Sequence, residues 1–127
     1  MLKETIICII IIILIFTFDF ITQGYTERNV DEISNKLDNL KKEIIEKDIL
    51  KEKEDIKNIN NKWKNAEEKL AYYIEHDELE KVNSELKELT SYIESEDEEL
   101  SIAKIEKAIF ILEHIKDKNS FSLENIF

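Results

Sequence analysis

The stretch VDEISNKLDNLKKEI, residues 30–44, decides the fold. Its apolar residues, Val30, Ile33, Leu37, Leu40 and Ile44, recur at intervals of three and four, which puts them on one face of an α-helix with charges opposite. Continuing that register would place Lys47, Lys51, Glu54, Asn58 and Asn61 on the apolar face, so the chain is expected to turn near Lys47 and Asp48. A new stripe then runs through Ile49, Ile56, Ile59, Trp63, Ala66, Leu70 and Tyr73. The break argues against one long coiled coil and for a hairpin of two helices.

Further phase changes predict turns near His76 and Asp77 and near Ser95 to Asp97. Asp77 followed by Glu80 has the form of a capping box and would start the third helix. Four helices follow, at 27–47, 49–75, 78–95 and 97–117, with short connections that make successive helices antiparallel. Shifting the chain by 49 residues lays Val30, Ile33, Leu37, Leu40 and Ile44 on Leu79, Val82, Leu86, Leu89 and Ile93, and Asp48 on Asp97. The reading is two copies of one helical hairpin, stacked as an antiparallel four-helix domain.

Upstream of that domain, every residue from Ile6 to Phe18 except Thr17 is apolar, and Asp19 carries the one charge between Thr5 and Tyr25. About 20 residues of helix cross about 30 Å of hydrocarbon, so residues 5–25 suffice when Asp19 lies near an interface, beside Phe16, Phe18, Phe20 and Tyr25. The chain divides into an anchor in membrane lipid, residues 1–25, and an acidic helical domain, residues 26–127. A cleaved signal peptide is the rival reading. Against it stand the weak basic start, where Glu4 offsets Lys3, and the bulky Phe18, Phe20 and Ile21 where a cleavage site needs small residues. The single cysteine, Cys8, lies among isoleucines in the anchor, so no intramolecular disulfide exists and the thiol is read as a small lipid-facing group. Arg28, Lys36, Lys41 and Lys42 after the span outnumber Lys3 before it, so charge counting does not fix topology; by analogy with signal anchors, the N-terminus is placed inside and the domain outside.

With no Pro and one Gly among 127 residues, there is no phosphate-cradling loop to consider, and an all-α fold is favoured. Removing the anchor's charges leaves 17 basic against 27 acidic residues and no concentrated basic face, which argues against nucleic acid as a partner. Antiparallel packing would bring His76 and His114 to the membrane-proximal end, with Glu75, Asp77, Glu78 and Glu113 nearby. Imidazole and carboxylate suit zinc, but the spacing matches no metal motif. A turn position for His76 and a helix C-terminal position for His114 are the expected roles, so no metal ligand or cofactor is assigned. Trp63, Tyr72, Tyr73 and Tyr92 are expected at the core or its edge rather than around a pocket. The run Glu94, Glu96, Asp97, Glu98 and Glu99 is expected as a solvated helix start. No nucleophile motif or metalloprotease motif occurs, so no catalytic residue is assigned and enzymatic activity is not expected.

The string Ile74-Glu75-His76-Asp77-Glu78-Leu79, with Tyr92-Ile93-Glu94, Leu112-Glu113-His114-Ile115 and Leu123-Glu124-Asn125-Ile126-Phe127, resembles domain-of-unknown-function family forty-three sixty-three. Those are small single-span membrane proteins of low-GC Gram-positive bacteria. The resemblance covers essentially the whole chain, although Ile49 stands where an aromatic often follows the first turn aspartate. It implies the anchor and the helical domain, and it brings no activity, cofactor or catalytic residue with it. The apolar ending is expected to fold back, with Leu123, Ile126 and Phe127 docked near His76 and His114.

Anchor and scaffold without visible chemistry suggest a non-enzymatic interaction or accessory module at the cell envelope, with a protein partner. Two alternatives stand beside it: an extracytoplasmic ligand- or metal-responsive sensor using the histidine end, and a structural homo-oligomer.

Overall fold

The computed structural model describes the backbone of residues 1–126 and the side chains of residues 1–120. Four helices make up the chain: α1 (Leu2–Glu46), α2 (Ile49–Leu70), α3 (His76–Glu94) and α4 (Glu98–Ile126), with no strand among the described residues. The all-α, four-helix expectation holds.

α1 is continuous over 45 residues, so the apolar stretch and the first amphipathic stripe belong to one helix rather than to two with a joint near residue 26. The joining segment has every means to stay helical. Thr22 and Thr26 hydroxyls donate back to the carbonyls of Asp19 (3.0 Å) and Thr22 (2.8 Å), and Asn29 Nδ2 donates to the carbonyl of Tyr25 (2.8 Å). Gly24 costs an isolated helix about 1 kcal/mol relative to Ala, too little to break one packed on its neighbours. The change at this point is of surroundings, from exposed isoleucines to buried domain positions.

Within the domain the predicted stripes form the core, except at Ile49, which opens α2 at the tip and is exposed. Val30, Ile33, Leu37, Leu40 and Ile44 are buried, as are Ile56, Ile59, Trp63, Ala66 and Leu70, then Leu79, Val82, Leu86, Leu89 and Ile93, and finally Ile105, Ala108, Leu112 and Ile115. α1 packs on α2 and α4, and α3 packs on α4 and, more lightly, on α2. The hairpins α1–α2 and α3–α4 therefore close into a square bundle with each helix touching two neighbours. The α2–α3 side is polar: Trp63 Nε1 donates to Asn83 Oδ1, Asn83 Nδ2 donates to Glu67 (2.9 Å), and Asn60 Nδ2 donates to Thr90 Oγ1 (2.9 Å). The basic residues, though outnumbered, strap helices together: Lys62 to Glu32 (2.8 Å), Lys41 to Glu106 (2.9 Å), Lys116 to Asp31 (3.0 Å), and Lys104 to Glu85 and Glu88.

Three boundaries differ from expectation. α2 ends at Leu70 rather than 75, because Ala71 to Ile74 form the turn that sends the Tyr73 side chain to α1. α3 starts at His76 with Glu75 at the N-cap and no side-chain cap, so Asp77 and Glu80 lie inside the helix and form no capping box. α4 continues to Ile126 instead of stopping near 117: Lys116 pairs with Asp31 and Glu113, and Ser120 accepts from Gln23 Nε2 at 3.1 Å, so the polar run from 116 to 120 is held along α1. The proposed docking of Leu123, Ile126 and Phe127 concerns side chains outside the described residues.

Candidate functional site

Antiparallel packing gives the bundle two ends of different chemistry. At the end adjoining the apolar half of α1, the Tyr73 hydroxyl sits 2.8 Å from Thr26 Oγ1 and donates to the Thr22 carbonyl at 3.1 Å. Burial pushes the Tyr73 phenol above its ordinary range. Lys69 Nζ lies 5.5 Å from the centre of the Tyr25 ring, and Lys118 reaches Glu75 (3.6 Å) and Glu78 (3.7 Å). Partners on α1, on α4 and in the α2–α3 turn tie this end together around a small cleft of about 100 Å³ lined by Tyr73, Ile74, Glu75, Glu78, Ile115 and Lys118, in which Glu78 Oε2 is buried without a hydrogen-bond partner.

The opposite end consists of two turns of the same build. Lys47 (φ 61°) and Glu96 (φ 59°) adopt the left-handed conformation. Each is followed by an amide that bonds five residues back, Asp48 to Glu43 (3.1 Å) and Asp97 to Tyr92 (2.9 Å). The Asp48 and Asp97 carboxylates then accept from the amides of Lys51 (3.4 Å) and Leu100 (3.1 Å), capping α2 and α4. These positions are 49 residues apart, as are the buried pairs Ile44 and Ile93, Glu52 and Ser101, and Ile56 and Ile105.

Between the two turns lies a cleft of about 130 Å³ lined by Lys47, Ile49, Glu52, Glu96, Asp97 and Glu98. Glu52 is only 6 % exposed, and among the described residues its carboxylate has no hydrogen-bond partner and no cation within ion-pairing distance. Burial raises its pKa, and the charges of Glu98, Glu96 and Asp48 raise it further against a weaker pull from Lys53. Lys53 instead lies 3.9 Å from Glu96. Around this end the aliphatic side chains of Ile45 (60 %), Leu50 (84 %) and Leu100 (43 %) are exposed to solvent. On the adjoining α1–α2 face, Glu43 is lifted to about 7, first by burial and then by Asp55, with Lys51 at 3.5 Å opposing.

The family described as "Domain of unknown function (DUF4363)" matches residues 20–126. This chain belongs to that family. The DUF4363 match runs from the end of the apolar stretch through the whole bundle, so both ends of the bundle lie within it. No curated protein and no solved structure matches the chain.

Within the DUF4363 domain the residues singled out in sequence fall as follows. His76 and His114 are both exposed, and His76 lies 3.7 Å from Glu80 one turn along. Because α4 runs on to Ile126, His114 sits inside the helix rather than at its C-terminus. Among the described residues, no three histidine, cysteine or acidic side chains are placed to hold a metal ion. Trp63 is in the core, Tyr73 is half-buried, and Tyr72 is 87 % exposed, contrary to its expected place at the core edge. Tyr72 sits in the turn after α2, where no helical register directs it inward. Sequence reasoning missed Glu52. It follows the predicted turn by four residues, but its covering comes from a turn 45 residues away.

Proposed function

We propose that this protein is a non-enzymatic, membrane-tethered interaction module. Residues 5–25 of α1 lie in lipid, the N-terminus is inside, and the bundle stands outside the membrane with its two-turn tip offered to a protein partner. The observation that carries this reading is the form of α1. It is one unbroken helix, long and apolar enough in its first half to cross a membrane, and it ends at a tip where Leu50 and Ile45 are exposed. A helix that served only to fill a soluble core would not leave Ile6 to Ile15 uncovered. The equal turns and the 49-residue correspondence support a further reading, that the domain is two copies of one hairpin closed on each other. The sensor alternative through His76 and His114 gains no support, since both imidazoles face solvent with no convergent ligands among the described residues.

The test of location uses the exposed Ser84 of α3, substituted Ser84→Cys in a Cys8→Ser background, and a membrane-impermeant maleimide on intact cells. Labelling without lysis is expected. Protection until lysis would put the bundle in the cytoplasm and overturn the location.

A further inference from the structure

We infer that the cleft between the two tip turns receives a lysine or arginine side chain from a basic, amphipathic segment of a partner protein. This rests on the interaction-module reading and names the partner's chemistry. The Glu52 side chain is nearly buried, and no described residue pairs or hydrogen-bonds its carboxylate. Its oxygens meet solvent at an open cleft whose other described walls carry Glu96, Asp97 and Glu98 against the one cation Lys47. Burial of the side chain disfavours the charged carboxylate even though its oxygens still meet solvent, and a cation placed beside it in the cleft offsets that cost. At about 130 Å³ the cleft has room for the head of one long side chain.

The surroundings select among cations. A divalent ion needs several convergent oxygens, and no three carboxylates are so placed among the described residues. A small free amine would leave the exposed aliphatics of the tip, Ile45, Leu50 and Leu100, in water, whereas a peptide lying across the tip can place a cation in the cleft and an aliphatic side chain outside it. Anionic lipid and nucleic acid are repelled by the acidic rim. A second copy docking tip to tip across a two-fold axis would set the same acids against one another.

The experiment uses the full chain in phosphatidylcholine nanodiscs and a fluorescent helical peptide carrying arginine and leucine on one face, with binding to empty discs subtracted. Two further peptides serve as probes, one with the arginines replaced by glutamine and one with the leucines replaced by serine. Wild type is expected to bind the first peptide at least about tenfold more tightly than either of the others. Glu52→Gln and Leu50→Ser are each expected to remove most of that preference, whereas Glu68→Gln, at an exposed acid of α2, leaves it intact. Circular dichroism melts establish that the variants are folded. Equal weakening by Glu52→Gln and Glu68→Gln would reduce the effect to diffuse charge and overturn the inference. So would absence of binding, displacement of the peptide by millimolar calcium, or concentration-dependent dimerisation that Leu50→Ser abolishes. A photocrosslinker at position 50 and another at Phe110, in cells, separate the two levels of argument. Crosslinks to a protein from 110 alone would keep the module and sink the cleft, and crosslinks from neither position would sink the module.

Discussion

At the end of the bundle nearest the apolar half of α1, Tyr73, Thr26 and Thr22 satisfy one another's polar groups, and Gln23 ties α1 to Ser120 of α4. At the other end the same four helices leave Glu52 without a partner and Leu50 in water. The far end is made of two short turns and the near end of one, with α1 and α4 running past it, so the ends differ both in chain path and in what the side chains meet. The end near the apolar half of α1 also holds a small cleft and a partnerless oxygen, Glu78 Oε2, but Lys81 and Lys118 lie within ion-pairing distance of that carboxylate. Glu52 has no such cation among the described residues, so the open end is where outside contacts are worth testing.

The contrast can be tested most strongly in the packing. Leu70→Ala, at a fully buried position near the closed end, is expected to lower stability by about 2–5 kcal/mol in denaturant titration, whereas Ile49→Ala at the open end costs under about 1 kcal/mol. Equal losses would mean that the open end is packed as firmly as the closed one.

Next in size is a pH effect near the open end. Glu43 is raised from 4.5 to about 7 in the folded protein by burial and by Asp55, so the folded state holds more proton than the unfolded state between those values. That contribution to stability is complete below about pH 4.5 and is lost as pH rises through 7. Glu43→Gln should therefore raise the thermal midpoint by about 5 °C at pH 8 and leave it nearly unchanged at pH 4. A gain of the same size at both pH values would show that ionisation is not the cause.

Smaller effects probe the ties themselves. Tyr73→Phe removes the hydroxyl that meets Thr26 and the Thr22 carbonyl, with an expected loss of about 1 kcal/mol by chemical denaturation. Tyr72→Phe, one residue earlier and exposed, should change nothing measurable. Lys47→Gly relieves a left-handed residue in the first tip turn, against the greater freedom glycine gives the unfolded chain. A net gain of about 0.5 kcal/mol is expected in the same measurement.

Much of this architecture was legible in the sequence because burial follows the register of Val30, Ile33, Leu37, Leu40 and Ile44 and of its counterparts from Leu79 to Ile93. The turns at Lys47–Asp48 and Ser95–Asp97 were legible for the same reason, since a stripe that runs out of apolar residues has to end. The unbroken α1 was harder to see: a helix that passes from a wholly apolar stretch to an amphipathic one changes composition without changing backbone, so the shift near residue 26 looks like a boundary. The run from Lys116 to Ser120 reads as loop by polarity, yet its partners, Asp31 and Gln23, are some 85 to 97 residues away in sequence. Glu52 was hidden among 29 acidic residues, because only the arrival of the second turn distinguishes it from its exposed neighbours.

The continuity of α1 also sets a geometry for recognition. If residues 5–25 sit in a bilayer, as proposed, the 21 residues from Thr26 to Glu46 carry the tip up to about 30 Å from the boundary at about 1.5 Å each, on one continuous helix. Height and azimuth are thereby fixed together, because one residue inserted near Gly24 would raise the bundle by about 1.5 Å and turn it by about 100°. A membrane-bound partner that grips the tip must carry its basic segment at a matching elevation, so its own stalk or loop has to reach as far from the bilayer as this one does.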